Sequence, residues 1–233
     1  MVEIVKSIAF KSMATILSDR TYTIENSSKF VDLIADDVLE KLRQWSSLYS
    51  YYLTIFLFQN QAIYSIGYTS VILDTEYEFS FGNNSMLFPS GEMIILEKYY
   101  NNEWQCFCRI FAFPNKNRLA NFTQTSFNPI SPQIDILVKR SFEKYLLGKE
   151  KYDKESALLS QDYILEDIKS SIKSFMSNFS FEISLYLKKK GSGGSVSTSK
   201  GWCEVDQDGS TVASWENEAY YACAHVVGFA IKE

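Results

Sequence analysis

The residues best suited to chemistry are Cys223 and His225, which lie two positions apart in the sequence. On a β-strand this spacing places both side chains on one face, where an imidazole could activate a thiol. No acidic partner and no oxyanion motif accompanies the pair. Because a histidine that is satisfied within a strand explains the pattern more simply, we expect the protein not to be an enzyme.

Three further patterns fall short of a metal or phosphate site. Cys106 and Cys108 share a face of a predicted strand but have no partner ligands for zinc. The Gly-Ser run at 188–195 lacks the order of a phosphate loop, so it predicts a hairpin loop, although an engineered linker has the same composition. Asp206-Gln-Asp-Gly209 lacks the glutamate of a calcium loop and predicts a tight turn. We therefore expect no metal and no cofactor.

Composition excludes several classes of protein. The chain has 233 residues, 46% hydrophobic and 22% charged, with a net charge of −5. These values are typical of a globular protein and give no indication of nucleic-acid binding. Glu3, Lys6 and Lys11 interrupt the apolar N-terminal residues, so we expect no signal peptide. The longest apolar run, Tyr51–Phe58, is too short to cross a bilayer, so we expect no membrane partner. The four cysteines are expected to be free, buried thiols.

Both halves of the chain begin with two helical patterns. The predicted helices are, in order, Val2–Leu17, Val31–Trp45, Ile134–Tyr145 and Leu158–Met176. Asn26, Ser27 and Ser28 are N-cap candidates for the second helix. Gly148–Lys154 breaks the pattern between the last two.

Four strand patterns follow each pair of helices. Those of the first half are Tyr51–Phe58, Ile63–Leu73, Glu92–Tyr100 and Trp104–Phe113. Those of the second half are Phe181–Leu187, Val196–Val205, Thr211–Glu216 and Ala219–Lys232. Phe79–Ser90 predicts a loop, and Asn101-Asn102 predicts a hairpin turn. The alternation in Phe181–Leu187 is typical of a half-buried strand.

The order of elements thus repeats with a period of about 130 residues. A polar, irregular segment at 115–133, which contains Pro129 and Pro132, separates domains predicted at 1–114 and 134–233. Short likenesses, such as Ile4–Ser7 with Leu137–Arg140, support the repeat. Because identity between the halves is low, a single helix-rich α+β domain is the alternative.

The run from Gly201 to Ile231 resembles the end of the Tctex-type dynein light chains. The family has a D-G-S turn, a T-V-x-W-E-N stretch and a strand ending in G-L-A-I. This sequence has Asp208-Gly209-Ser210, Thr211-Val212, Trp215-Glu216-Asn217 and Gly228-Phe229-Ala230-Ile231. The resemblance extends back, at the level of elements, to about Ile134. The N-terminal half resembles a diverged copy, in which Gly91–Lys98 corresponds to the G-S-T-V-x-W-E-N stretch without its tryptophan and asparagine.

The resemblance implies an α+β fold of two tandem domains, each with two helices packed on an antiparallel four-stranded sheet. Family members pair as dimers by exchanging a strand, so two fused copies imply an intramolecular strand-exchanged pseudo-dimer. The expected exchanged strands are Ile63–Leu73 and Val196–Val205. Trp215, in the best-matched motif, is expected to be structural.

The resemblance also implies a function. The protein would be a non-catalytic dynein light chain that binds a dynein intermediate chain and helps assemble the motor tail. Other dynein light chains and the heavy-chain tail are further expected partners, in the cytoplasm and cytoskeleton. Unequal light-chain pairs are typical of ciliary dyneins, which favours an axonemal motor. The alternative is an adaptor or structural protein of the same fold that is not attached to a motor.

The expected partner is an extended segment that adds as a strand beside an exchanged strand. Its expected contacts in the C-terminal half are Val196, Ser197, Thr198, Ser199 and Lys200, and those in the N-terminal half are Ile63, Tyr64, Ser65 and Ile66. Small side chains at 197–199 let another backbone approach closely. Lysines at 188–190 and 200 predict acidic flanks on the partner and salt-sensitive association.

Overall fold

The computed structural model describes residues 1–21, 23–59, 66–73, 78–81, 86–87, 93–115, 126–174, 179–190, 195–202 and 207–230. The helices are α1 (Val2–Leu17), α2 (Ile24–Trp45), α3 (Ser131–Leu146) and α4 (Lys154–Lys173). The strands of the first half are β1 (Tyr49–Gln59), β2 (Ile66–Leu73), β3 (Glu78–Phe81), β4 (Met86–Leu87), β5 (Met93–Tyr100) and β6 (Trp104–Pro114). Those of the second half are β7 (Phe179–Lys189), β8 (Ser195–Trp202), β9 (Gly209–Glu216) and β10 (Tyr220–Ala230). The predicted α+β class is confirmed.

The first helix of each half has the apolar spacing that the sequence predicts. In α1 the buried apolar residues recur every four positions, at Val5, Ala9, Met13 and Leu17. The same spacing recurs in α3, at Ile134, Val138, Phe142 and Leu146. Gly148 follows α3 with a φ of 82°, a left-handed conformation that ends helices and favours glycine.

The second helix, α2, begins earlier than predicted. Thr23 is its N-cap, with an extended backbone and a side-chain oxygen that accepts from the Asn26 amide at 3.2 Å. The candidates Asn26, Ser27 and Ser28 therefore lie inside the helix, and their prediction as caps was wrong. Threonine, asparagine and serine are all good N-cap residues, so residue type alone could not show which of these positions is the cap. Asp153 caps α4 by the same kind of bond, to the Ser156 amide at 2.7 Å.

The α3 helix begins inside the predicted linker. Its first residue is Ser131, so the last three residues of segment 115–133 are helical. Pro132 lies in the first turn, where a missing amide hydrogen leaves no helical bond unmade. Phe127 is fully buried in the core that includes α3. A proline is typical of irregular chain but is also a common helix-start residue, so the linker prediction was wrong over these three residues.

The described strands form two antiparallel sheets of five strands each. One has the order β4-β5-β6-β1-β8, and the other has the order β3-β2-β7-β10-β9. Sheets of four strands were expected, and the fifth is in each case a short edge strand: β4 beside β5 and β3 beside β2. Both short strands fall in or next to the predicted loop at Phe79–Ser90. The loop prediction was wrong there because main-chain pairing with a neighbouring strand determines such short strands.

The chain divides into two compact units. Unit 1 consists of Met1–Tyr64, Asn83–Lys116 and Gly193–Glu204, and therefore holds α1, α2 and the first sheet. Unit 2 consists of Ser65–Gly82, Asn117–Ser192 and Val205–Glu233, and holds α3, α4 and the second sheet. Each unit draws its sheet from both halves of the sequence.

In each unit the helices cover one face of the sheet and form a core with it. The unit 1 core takes alternate residues from the strands, among them Leu53, Ile55, Leu57, Cys106 and Cys108. The unit 2 core does the same with Phe181, Ile183, Leu185, Ala222 and Ala224. This period of two is the spacing of one face of a strand.

The opposite faces of the central strands are buried as well. On β7 these residues are Ser180, Glu182, Ser184 and Tyr186, each less than 5% exposed. The prediction of a half-buried strand here was wrong, because serines and a glutamate occur at buried positions. Ser184 donates its hydroxyl to Glu182 Oε1 at 2.7 Å, which lowers the cost of burying that carboxylate.

The strand registers of the two units match residue for residue. The β1–β6 pairing runs from Tyr49↔Pro114 to Gln59↔Trp104, and the β7–β10 pairing runs from Phe179↔Ala230 to Lys189↔Tyr220. The pairings of β8 with β1 and of β2 with β7 occupy the same positions along their partners. Every residue of these strands in unit 1 therefore has a counterpart in unit 2.

Candidate peptide-binding site

The predicted contact residues Val196, Ser197, Thr198, Ser199 and Lys200 lie together on β8. They pair in antiparallel register with the β1 residues Leu57, Phe56, Ile55, Thr54 and Leu53. In the order of the sheet β8 is the terminal strand, so among the described strands only β1 pairs with it. An edge of this kind presents main-chain donors and acceptors to an added strand.

Packing against α2 and against Tyr52 of β1 holds β8 in place. The α2 helix packs against β8 within unit 1. Gly201 lies opposite Tyr52 on β1, and a Cβ at that glycine would overlap the Tyr52 ring. Tyr52 is only 8% exposed, so its ring uses the space that the absent side chain leaves. The position of β8 is thus determined by packing as well as by pairing.

The second predicted group is placed differently. Ile63, Tyr64 and Ser65 lie outside the described residues, and Ile66 is the first residue of β2, where it pairs with Lys188. In unit 2, β2 lies between β7 and β3, and β3 pairs with Ser70–Leu73. The two exchanged-strand candidates therefore differ in how much of their edge is covered.

The lysines near the Gly-Ser run are largely engaged within unit 2. The Lys188 ammonium lies 5.3 Å from the centre of the Tyr221 ring, and burial lowers the pKa of this lysine. Lys190 forms an ion pair with Glu216 at 3.0 Å. The side chain of Lys200 and the loop at 191–194 lie outside the described part of the structure. The acidic flank of the partner stays a prediction.

The Cys223–His225 pair lies on the buried second face of the unit 2 sheet, and the two residues are 6% and 3% exposed. Burial raises the pKa of the Cys223 thiol to about 11, although a hydrogen bond with Tyr221 opposes the shift. The thiol is therefore protonated near neutral pH and is a poor nucleophile. Cys106 and Cys108 are fully buried in the unit 1 core, and burial raises the pKa of each thiol.

The described residues were also compared with the requirements of a metal site and of a membrane-spanning helix. No three His, Cys, Asp or Glu side chains among them are grouped so that they could bind a metal ion. None of the described helices is long and apolar enough to span a bilayer. Cys203 and Asp206 lie outside the described residues.

The residues that carried the resemblance hold the fold of unit 2 together. Asp208 is 7% exposed, and its Oδ1 accepts from the Ala230 amide at 2.9 Å. Trp215 is partly buried and packs against the unit 2 core, on the same face as Ala213. Asn217 joins the β9–β10 hairpin to the end of α3, because its Nδ2 donates to Leu146 O at 3.2 Å.

Unit 1 has an asparagine equivalent to Asn217, although the sequence comparison of the two halves indicated that it was missing. By register Met93 is the counterpart of Gly209, so Tyr99 corresponds to Trp215 and Asn101 to Asn217. Asn101 Oδ1 accepts from the Glu103 and Trp104 amides, and its Nδ2 donates to Leu17 O at 3.1 Å. The correspondence that began at Gly91 was therefore two residues out of register.

Comparison with known proteins agrees with this geometry for the C-terminal part. The model of the Tctex-1 family matches residues 130–229, which include most of unit 2 and the strand β8. No curated protein matches the chain. The matched segment contains all of α3, α4 and the strands β7 to β9, and it contains β10 except for Ala230. The C-terminal part of this chain, residues 130–229, is therefore similar to the Tctex-1 family.

Proposed function

We propose that this protein is a non-catalytic dynein light chain that binds a dynein intermediate chain and helps to assemble the motor tail. The observation that carries the proposal is the edge position of β8, a strand that lies within the segment matched by the Tctex-1 family. An intermediate-chain segment would pair with the edge of β8 as an added strand of the unit 1 sheet. Main-chain hydrogen bonds then supply affinity, and alternate side chains supply selectivity.

The proposal includes two tandem Tctex-like copies, at 1–114 and 134–233, that form an internal strand-exchanged pseudo-dimer. The recurrence of the β1–β6 and β1–β8 registers in the β7–β10 and β7–β2 pairings supports it. So does the composition of the units, since β8 pairs with β1 and β2 pairs with β7. Fusion of the copies would make pairing independent of protein concentration, since a flexible tether gives effective concentrations of about a millimolar.

The motor that fits best is an axonemal dynein, with other dynein light chains and the heavy-chain tail as further partners in the cytoskeleton. The units differ in their edge strands, as β4 covers β5 in one and β3 covers β2 in the other. Unequal units suit an assembly that places unequal light chains side by side.

The test is a titration of the full chain with peptides from the light-chain-binding segments of axonemal and cytoplasmic intermediate chains. Two matched variants locate the site: Thr198→Pro and Ser199→Pro. Amide hydrogens of successive strand residues point to opposite edges, so one proline removes a donor facing β1 and the other removes a donor on the open edge. Loss of the open-edge donor should weaken binding by about tenfold, equivalent to about 1.4 kcal/mol.

The alternative to a motor subunit is an adaptor of the same fold. Co-purification from native cells followed by mass spectrometry separates the two. Recovery of axonemal intermediate chains supports the proposal. Recovery of the chain without any dynein subunit, together with no binding of either peptide, refutes it and favours the adaptor.

A further inference from the structure

In unit 2 the edge of β2 is covered by β3, the next strand along the chain. The β3 strand pairs antiparallel with β2, with Ser70 opposite Phe81 and Leu73 opposite Glu78. Among the described strands, β3 is itself the terminal one of that sheet. It therefore occupies the position of an added strand beside β2.

The matching registers show which part of the binding edge β3 covers. Ile66 of β2 pairs with Lys188 of β7, and Ser195 of β8 pairs with Phe58 of β1, which is the counterpart of Lys188. Ser70–Leu73 of β2 is consequently the counterpart of Ser199–Trp202 of β8. In unit 1 no described strand pairs with Ser199–Trp202 apart from β1.

We propose that β3 is an internal occupant of the second strand-addition edge, so that one chain binds one extended partner instead of two. The inference rests on the proposed function, because it uses the same mode of binding. It gives the pseudo-dimer one open edge on β8 and one edge on β2 that the chain fills itself.

Connectivity makes the internal occupant hard to displace. Only four residues, 74–77, separate β2 from β3 in the sequence. A short tether gives an effective concentration of about a millimolar or more, so a free peptide must compete against it. β3 pairs with four of the eight residues of β2, so it blocks the half of the edge that corresponds to Ser199–Trp202.

The experiment counts the copies of an intermediate-chain peptide that bind to one full-length chain, by calorimetry and native mass spectrometry. The matched variants are Phe79→Pro and Ser80→Pro in β3. One removes an amide donor that faces β2, and the other removes a donor on the outer edge, where proline is tolerated. Circular dichroism checks that both variants retain the fold.

We expect the wild type to bind one peptide, the variant that loses the inward donor to bind two, and the other variant to bind one. Two copies on the wild type would overturn the inference and leave the proposed function intact. One copy on the wild type and on both variants would also overturn it.

If no intermediate-chain peptide binds the wild type, the proposed function fails, and a second probe decides on β3. This probe is a synthetic peptide of residues 76–83, which copies β3. Binding of one more copy to the inward-proline variant than to the wild type would support internal occupancy alone. Equal binding to both would overturn it.

Discussion

The ring of Phe127 lies directly over the backbone of Gly228, and a Cβ added to that glycine would overlap the ring. Gly228 is paired with Gly209 across β10 and β9, and a Cβ on Gly209 would stand 2.6 Å from Phe127 Cδ1. The Phe127 amide also donates to Gln207 O at 2.8 Å. A residue from outside the sheet thus fills the space above a glycine pair, which explains both glycines of the family-like motif.

We expect Gly228→Ala to destabilise the fold by about 1–3 kcal/mol, because the added methyl group overpacks against Phe127. Phe127→Ala should cost about 3–5 kcal/mol, because it leaves a cavity in the unit 2 core. In the Phe127→Ala background the cost of Gly228→Ala should fall below about 1 kcal/mol, since the clash is gone. Chemical denaturation of the four proteins measures these differences.

The control for this cycle is Ala112→Gly, since Ala112 is the counterpart of Gly228 in unit 1. Its effect on the free energy of unfolding should simply add to that of Phe127→Ala. If the effects of Gly228→Ala and Phe127→Ala were also additive, the ring would not be what requires glycine at this position.

Asn101 and Asn217 form equivalent hydrogen-bond networks in the two units. Asn217 Oδ1 accepts from the Ala219 and Tyr220 amides at 2.9 and 2.7 Å, and its Nδ2 donates to Leu146 O. Asn217→Ala should lower the free energy of unfolding by about 2–3 kcal/mol, because it leaves several backbone groups without partners. Asn101→Ala should have a similar cost, and the two costs should add.

The exposed neighbour Glu218 offers a matched control in the same turn. Glu218→Ala should change the free energy of unfolding by less than about 0.5 kcal/mol. A thermal or denaturant series in which Asn217→Ala resembled Glu218→Ala would show that the turn does not depend on the asparagine.

Tyr51 makes stability depend on alkaline pH. Burial raises the pKa of Tyr51 to about 12 from an ordinary value of 10.0, although an interaction with the Ser46 side chain opposes the shift. The unfolded chain therefore loses the tyrosine proton first, and this contribution to stability is complete below pH 10 and lost towards pH 12.

We expect Tyr51→Phe to cost about 1 kcal/mol near neutral pH, because the hydroxyl loses its bond to Ser46. The variant should then lose less stability than the wild type as the pH rises. Denaturant titrations at several alkaline pH values provide the measurement, with Tyr163→Phe at an exposed tyrosine as the control. Parallel pH curves for wild type and Tyr51→Phe would contradict the assignment.

The buried thiols should be inert in the folded protein. At neutral pH we expect a thiol-reactive reagent to leave Cys106, Cys108 and Cys223 unmodified until the chain is unfolded, because all three are buried with raised pKa values. Peptide mapping by mass spectrometry after labelling identifies the modified residues. Rapid labelling of Cys223 in the native chain would revive the thiol–imidazole alternative.

The sequence was sufficient for features that depend on local periodicity. The helices α1 and α3 follow from an apolar residue every four positions. The first and last residues of β5, β6 and β9 were predicted within one or two positions. Likewise, Thr211, Ala213 and Trp215 share the inward face of β9, as their alternation predicts.

What the sequence did not reveal depends on partners distant along the chain. β3 forms because it pairs with β2. Its four residues, Glu78–Phe81, are too few to predict a strand from their sequence alone. The equivalence of Asn101 and Asn217 required the strand registers, because the intervening residues differ. The edge position of β8 depends on its pairing with β1, which is some 140 residues earlier in the sequence.

The most direct test of the central claim is amide hydrogen exchange on the full chain with and without a dynein intermediate-chain peptide. β1 already pairs with one edge of β8, so alternate amides of Ser195–Trp202 should be protected before the peptide is added. We predict that the remaining alternate amides of β8 slow by at least about tenfold when the peptide binds. Unchanged exchange throughout β8, with protection appearing on another element, would contradict strand addition at this edge.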